Sequence, residues 1–264
     1  MKTILLIHGM FQNEKSWKGW VGYYTARGYK CIAPSWPEHE GDPGVLRANP
    51  PAALGDLRLE TVMKRYEEVI AGLGEKPIAI GHSVGGLLVQ LLANKNLISM
   101  GVAISSVAPN KMLSLEWNFF KNSVTILNPF KGDEPIYQTP ETFHTAFCNT
   151  LSKQAAQLAF EQTATHDSRN VLRDCVLEPG RVDLSIPHVP LLFIAGEQDR
   201  IIPDQLVEKN AHAYTDPGSV TAFKAFPRRS HFICNEPGWE VVAGYVNNWI
   251  KQHEPAADYQ RTTK

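Results

Sequence analysis

The sequence predicts an α/β protein of about six mostly parallel strands flanked by helices, interrupted by a helical insertion. Three observations carry this expectation. Short aliphatic runs alternate with segments of helical periodicity, the pattern of a parallel sheet covered on both faces. Gly81-His82-Ser83-Val84-Gly85 stands where a strand gives way to a helix. Between Pro109 and Pro187 the alternation stops for about 75 residues, far more than a connector needs.

Thr3 to Ile7 is an apolar run closed by Gly9 and reads as a buried strand. From Glu14 to Arg27, Trp17, Trp20, Val21 and Tyr24 recur at helical spacing, a core-facing stripe that Gly28 ends. Tyr29 to Ala33 is the second strand, stopped by Pro34. Ser35 to Leu54, rich in Pro, Gly, Glu and Asp, is expected to be a long loop of the kind found at functional rims. Asp56 is expected to cap a helix running to about Leu73, with Leu59, Val62, Met63, Tyr66, Val69, Ile70 and Leu73 on one face. Lys76 to Ile80 is the third strand, and a helix through Leu87 to Leu92 leaves the glycine-rich turn after it. The remaining strands are Ile98–Ser105, Leu191–Ala195 and Ser219–Phe226, and helices at about 203–213 and 237–251 follow the last two. Within the interruption, Thr139-Pro140 has the form of a helix cap with proline at the first position, and Ser152 offers a second cap. The expected division is a core of residues 1–109 and 188–264 and a helical cap of residues 110–187.

Composition narrows the function classes. Hydrophobic residues make up 43% of the chain and charged residues 20%, enough for a sizeable core. With 26 basic and 27 acidic residues the net charge is −1, so nucleic acid is not an expected partner. Cys31, Cys148, Cys175 and Cys234 form no CxxC pair, and no ligand-spaced cluster calls for a metal. Ile4 to Ile7 is shorter than the roughly 7–15 apolar residues of a signal peptide. No run approaches the roughly 18 apolar residues of a membrane span. The chain is therefore expected in the cytoplasm, as a monomer or homodimer.

Gly81 to Gly85 matches G-x-S-x-G in the strand–turn–helix setting that a nucleophile elbow requires. The turn raises the Ser83 hydroxyl at a helix N-terminus, where developing negative charge is favoured. A serine hydroxyl needs a base, and the base needs an orienting carboxylate. In an open parallel sheet, functional groups collect just beyond the carboxyl ends of the strands. Of nine histidines, only His231 lies in the loop after the last strand. Asp199 follows the fifth strand; Glu197 and Asp204 are its rivals, expected to be a solvated residue and a helix cap respectively. The oxyanion hole should combine the Val84 N–H with that of Met10, in the loop after the first strand. His8 in that loop is expected to be structural.

His8-Gly9-Met10, Gly81-His82-Ser83-Val84-Gly85-Gly86, Gly196-Glu197-Gln198-Asp199 and Ser230-His231 together resemble the α/β-hydrolase superfamily, in its single-domain esterase and lipase-like branch. The motifs span residues 8 to 231. The resemblance implies the α/β-hydrolase fold with a helical cap insertion, and ester hydrolysis through an acyl-enzyme with no metal or organic cofactor. Its catalytic residues would be Ser83, Asp199 and His231, in the chain order that family uses. Two departures qualify this. The sequence begins at the strand leading to His8-Gly9, so the family's first two strands are expected to be absent and the sheet to have six strands; and a serine nucleophile confines the likeness to dehalogenases and epoxide hydrolases to the fold.

The leading functional expectation is hydrolysis of small to medium, mostly apolar carboxylic esters. It rests on the apolar insertion residues Met112, Leu113, Leu115, Trp117, Phe119, Phe120, Phe143 and Phe147, with Phe11, Trp117 and Phe120 as candidate substrate contacts. The same three catalytic residues also serve thioester, lactone or carbon–carbon cleavage and hydroxynitrile lysis, because one fold hosts many reactions. A ligand-binding protein on a hydrolase scaffold is the remaining class.

Overall fold

The inner strands are aliphatic on both faces and buried along their whole length, so helices must cover both sides of the sheet. A computed structural model describes residues 1–109, 112 and 131–254. Its strands are β1 (Thr3–Ile7), β2 (Lys30–Ile32), β3 (Ile78–His82), β4 (Met100–Ile104), β5 (Leu191–Gly196) and β6 (Thr221–Phe226). They form one sheet in the order β2-β1-β3-β4-β5-β6, every neighbouring pair parallel.

Alternation along β1 divides the core. Leu5 and Ile7 pack with α3 (Leu59–Ala71), α4 (Val84–Asn94) and the helix Asp204–His212 on one face. Ile4 and Leu6 pack on the other face with α1 (Lys18–Thr25) and the helix Trp239–His253. The stripe expected from Trp17, Trp20 and Tyr24 is buried there, with Trp20 Nε1–H donating to Cys234 O at 2.8 Å. From β1 the chain crosses to β2 on one side and later returns to β3 on the other. The order thus reverses at β1/β3, and a crevice opens at their carboxyl ends. Ile7 is in register with Gly81, so the loop after β1 lies beside the turn after β3.

Several expectations need correction. β3 runs Ile78–His82 rather than from Lys76, because Gly81 and His82 still pair with Ala103 and Ile104 of β4. The stretch from Ser35 to Leu54 is not all loop: α2 (Pro43–Ala48) interrupts it, capped by Asp42, whose Oδ1 accepts the N–H groups of Gly44 and Val45. Asp56 does not cap α3; the N–H of Leu59 is taken instead by Asp174 Oδ2, at 3.1 Å, from the far side of the chain. Asp204 starts its helix but makes no cap hydrogen bond.

Between β4 and β5 the described residues hold two longer helices, α5 (Lys153–Thr163) and α6 (Arg169–Cys175). Ser152 caps α5, and Thr139 closes a capping box with Thr142 ahead of a π-helical turn at Phe143–Phe147, as the sequence suggested. In chain order α7 (Asp204–His212) and α8 (Trp239–His253) complete the fold. No helix among the described residues is long and apolar enough to cross a membrane.

Candidate active site

Three loops meet at the carboxyl end of the sheet. Ser83 stands between β3 and α4 with φ 57° and ψ −119°, a conformation that costs a non-glycine residue about 1–3 kcal/mol. It is held by main-chain bonds: its N–H donates to Ile104 O at 2.9 Å, and its carbonyl accepts from Gly86 and Val107. The turn fits only because Gly85 has no side chain. A Cβ there would stand 2.3 Å from Ile7 O. The N–H of Val84, first residue of α4, has no acceptor within its own helix.

The loop after β1 crosses directly over Ser83. A Cβ on Gly9 would lie 2.7 Å from Ser83 Cβ and 3.4 Å from Ser83 Oγ, so only glycine lets this backbone come so close. Met10 follows, buried; Phe11 is half-buried with φ 63°. His8 fixes the loop's start. Its Nε2 accepts the N–H of Trp36 at 3.0 Å, which leaves Nδ1–H to donate to Gly9 O at 2.8 Å. Burial, helped by the nearby His39, holds the His8 pKa down to about 3, so the ring is neutral. Its expected structural role fits this geometry.

His231 Nδ1 lies 2.7 Å from Asp199 Oδ2, and both side chains are buried. Asp199 is itself fixed, because Oδ1 accepts the N–H groups of Ile201 and Ile202, each at 2.8 Å. A carboxylate only accepts, so the imidazole carries its proton on Nδ1 and keeps a lone pair on Nε2. That Nε2 is buried without a hydrogen-bond partner among the described residues. The rival acids are elsewhere: Glu197 is exposed, and Asp204 lies in the first turn of α7.

Several contributors had no signal in the sequence. His82 turns away from the elbow and donates Nε2–H to His231 O at 2.7 Å, with the two rings 4.6 Å apart. Burial, then the neighbouring His231, pushes its pKa well below the ordinary value. The histidine loop is also gripped by buried Glu236, which accepts the N–H and Oγ–H of Ser230 and the hydroxyl of Thr150. Phe147 stands edge-on to His231 at 4.8 Å, and its carbonyl accepts the N–H of Phe232. A cavity of about 10 Å³ lies behind His8 and His82, lined also by Gln12, Trp17, Phe147 and Cys234. It has room for one water and does not border Ser83, so it is not an acyl site. Of the candidate substrate contacts, Phe11 is half-buried in the loop after β1; Trp117 and Phe120 lie outside the described residues.

A strained serine between β3 and α4, with an aspartate–histidine pair from the loops after β5 and β6, defines a hydrolase-type scaffold. The profile of the alpha/beta hydrolase family matches residues 4–243, and the chain belongs to that family. Among solved structures it is similar to a monoacylglycerol lipase from Paleococcus ferrophilus, at 20% identity and TM-score 0.68 over 95% of this chain and 94% of that one. An extracellular alpha/beta-hydrolase from a Paenibacillus species is similar at 16% identity and TM-score 0.69, over 97% and 100% of the two chains. A methylesterase from Arabidopsis is similar at 14% identity and TM-score 0.68, over 96% and 100%. At these identities the likeness is one of fold. No curated protein sequence matches the chain.

Proposed function

We propose that this chain is a serine hydrolase that cleaves small to medium apolar carboxylic esters through an acyl-enzyme. The observation that carries the reading is His231, with Nδ1 bound to a fixed Asp199 while its buried Nε2 has no partner among the described residues. Ser83 Oγ attacks the ester carbonyl carbon as His231 Nε2 takes the hydroxyl proton. Asp199 steadies the resulting imidazolium. The oxyanion is received by the N–H groups of Met10 and Val84. Collapse of the intermediate expels the alcohol oxygen, which takes the proton back from Nε2 and leaves the acyl group on Ser83. A water activated by the same base then releases the acid.

The apolar preference is supported by half-buried Phe11 and Ile201, which pack between the main core and the Phe143–Phe147–Phe160 cluster at the rim of the crevice. Trp117 and Phe120, proposed as substrate contacts from the sequence, lie outside the described residues. Residues 110–187 act as a cap in this reading. Arg200 donates to Thr145 O, Asn149 to Gln198 O, and Phe232 N–H to Phe147 O, so the insertion grips both the acid loop and the histidine loop. Four free thiols suit the reducing environment of the cytoplasm.

A fluorophosphonate should label Ser83 once, and Ser83→Ala should lose at least about 10³-fold in kcat on nitrophenyl esters. Labelling at another serine, or full activity in Ser83→Ala, would refute the mechanism.

A further inference from the structure

Phe11 presents a puzzle that the proposed chemistry does not absorb. An aromatic side chain at φ 63° sits in a region of backbone space that favours glycine, directly after the proposed oxyanion donor Met10. Something outside the loop must hold it there, and the contacts come from the insertion. The N–H of Phe11 donates to Asp167 Oδ2 at 2.7 Å, and its carbonyl accepts the N–H of Thr165 at 2.9 Å.

Asp167 is built for this task. Its main chain forms a two-hydrogen-bond bridge with Ile136, its Oδ1 accepts the N–H of Ser168 at 2.7 Å, and its side chain is fully buried. A buried carboxylate needs a counter-charge. The one facing it is His39, whose Nε2 lies 3.2 Å from Oδ2, also fully buried. His39 Nδ1 lies 3.0 Å from Pro37 O, which only accepts, so Nδ1 carries a proton. Nε2 faces the carboxylate out of hydrogen-bond alignment, so the contact is ionic and asks for a proton there too. Burial alone would lower the His39 pKa, but Asp167, with Pro37 O and Glu38, outweighs it and raises it. The ring closes on the same loop from the other side: Asn13 Nδ2 donates to His39 O and to Gly41 O, each at 3.1 Å.

We propose that Asp167 and His39 form a buried positioning pair, which reaches from the insertion through the Phe11 N–H to hold the Met10 N–H on the developing oxyanion. The inference rests on the proposed function, because it concerns the oxyanion hole of that same site. Neither residue touches substrate. Both act through the Met10–Phe11 peptide. A donor held off its mark weakens the bond made in the transition state and leaves ground-state binding alone.

The test measures the second-order rate of Ser83 labelling by a fluorophosphonate, with kcat and KM on a nitrophenyl ester, in wild type, Asp167→Asn, His39→Gln and the double variant. Asp167→Asn keeps the shape and an amide oxygen for the Phe11 N–H, so the fold should survive; thermal unfolding of each variant checks this. Both the labelling rate and kcat should fall about 10- to 100-fold, short of the 10²–10³ for losing an oxyanion donor outright, with KM within about threefold. The double variant should be no worse than the weaker single, because the pair acts as one device. Wild-type labelling rates and kcat in both single variants overturn the proposal, as does a loss that appears in KM or in the unfolding temperature instead of kcat. Failure of the underlying reading looks different, since the wild type itself would then not be labelled at Ser83.

Discussion

Acid should destabilise this protein through His8 as well as through its carboxylates. His8 is buried with both ring nitrogens committed, Nε2 accepting from Trp36 N–H and Nδ1–H donating to Gly9 O. Protonating Nε2 would break the first bond and place a charge 5.8 Å from the His39 ring, in a site that burial already makes hostile to charge. Unfolded, His8 takes a proton below its ordinary pKa of 6.5; folded, it does so only below about 3. Between those two values the unfolded chain holds one more proton, so stability is complete above pH 6.5 and is lost as the pH falls. At 1.36 kcal/mol per pH unit, the loss between pH 6.5 and 4 is about 3 kcal/mol. That is a large share of the roughly 5–15 kcal/mol that holds a typical domain together.

The assay is urea unfolding at a series of pH values from 7.5 to 4, on wild type and His8→Gln. The glutamine amide oxygen can accept the Trp36 N–H but takes up no proton in this range. At pH 7.5 the variant should be weaker by about 1–3 kcal/mol, from poorer geometry and lost packing against Trp36. As the pH falls the difference should shrink and then reverse. His82, also held neutral by burial, is present in both proteins and cancels. A difference between the two that stays constant from pH 7.5 to 4 would show that His8 is not the buried neutral group described.

Two further outcomes follow from the site. Asp199→Asn should lose about 10⁴-fold in kcat, because the wrong imidazole tautomer is then favoured, while Glu197→Gln and Asp204→Asn stay within about tenfold; wild-type rates in Asp199→Asn would misassign the acid. Ser83→Gly should be inactive yet more stable by up to about 2–3 kcal/mol in urea unfolding, since it relieves about 1–3 kcal/mol of strain at φ 57° and gives back up to about 1 in glycine entropy. A less stable Ser83→Gly would mean that the turn stores no strain.

The parts of the fold legible in the sequence were those specified locally. The turn at Gly81 to Gly85 carries its own steric requirement, and the caps at Thr139 and Ser152 sit within three residues of the N–H groups they satisfy. Where satisfaction comes from a distance, the sequence misleads. Asp56 has the right letter two residues too early, while the carboxylate that meets Leu59 N–H belongs to Asp174. Asp42-Pro43 is a short-range helix start masked in the sequence by the glycines and prolines around it, which read as loop, and α2 buries only Pro43. The sequence points to a β3 two residues early because Gly81 and His82 look like turn residues, although their partners in β4 keep them in the sheet. The candidate acid and base were legible from position alone. The residues that hold the histidine loop, His82, Glu236 and Phe147, and Asp167, which holds the loop after β1, are not, because no spacing relates them to the groups they serve.

That division has a physical origin. A parallel sheet fixes its strands rigidly, but the loops at its carboxyl end lose their ladder partners where the strand stops, and their peptide groups must be satisfied some other way. Ser83 manages with partners from its own elbow and from β4. The three loops that would serve it do not. The loop after β1 depends on Asp167 and Thr165, the acid loop gives Gln198 O to Asn149, and the histidine loop takes Phe147 O and, through Glu236, Thr150. Every one of these partners lies between β4 and β5. The described part of the insertion therefore belongs to the framework that sets the geometry around Ser83. A change in the insertion that leaves every residue at the strand ends intact can still alter the rate, because it moves the peptide groups on which those residues depend.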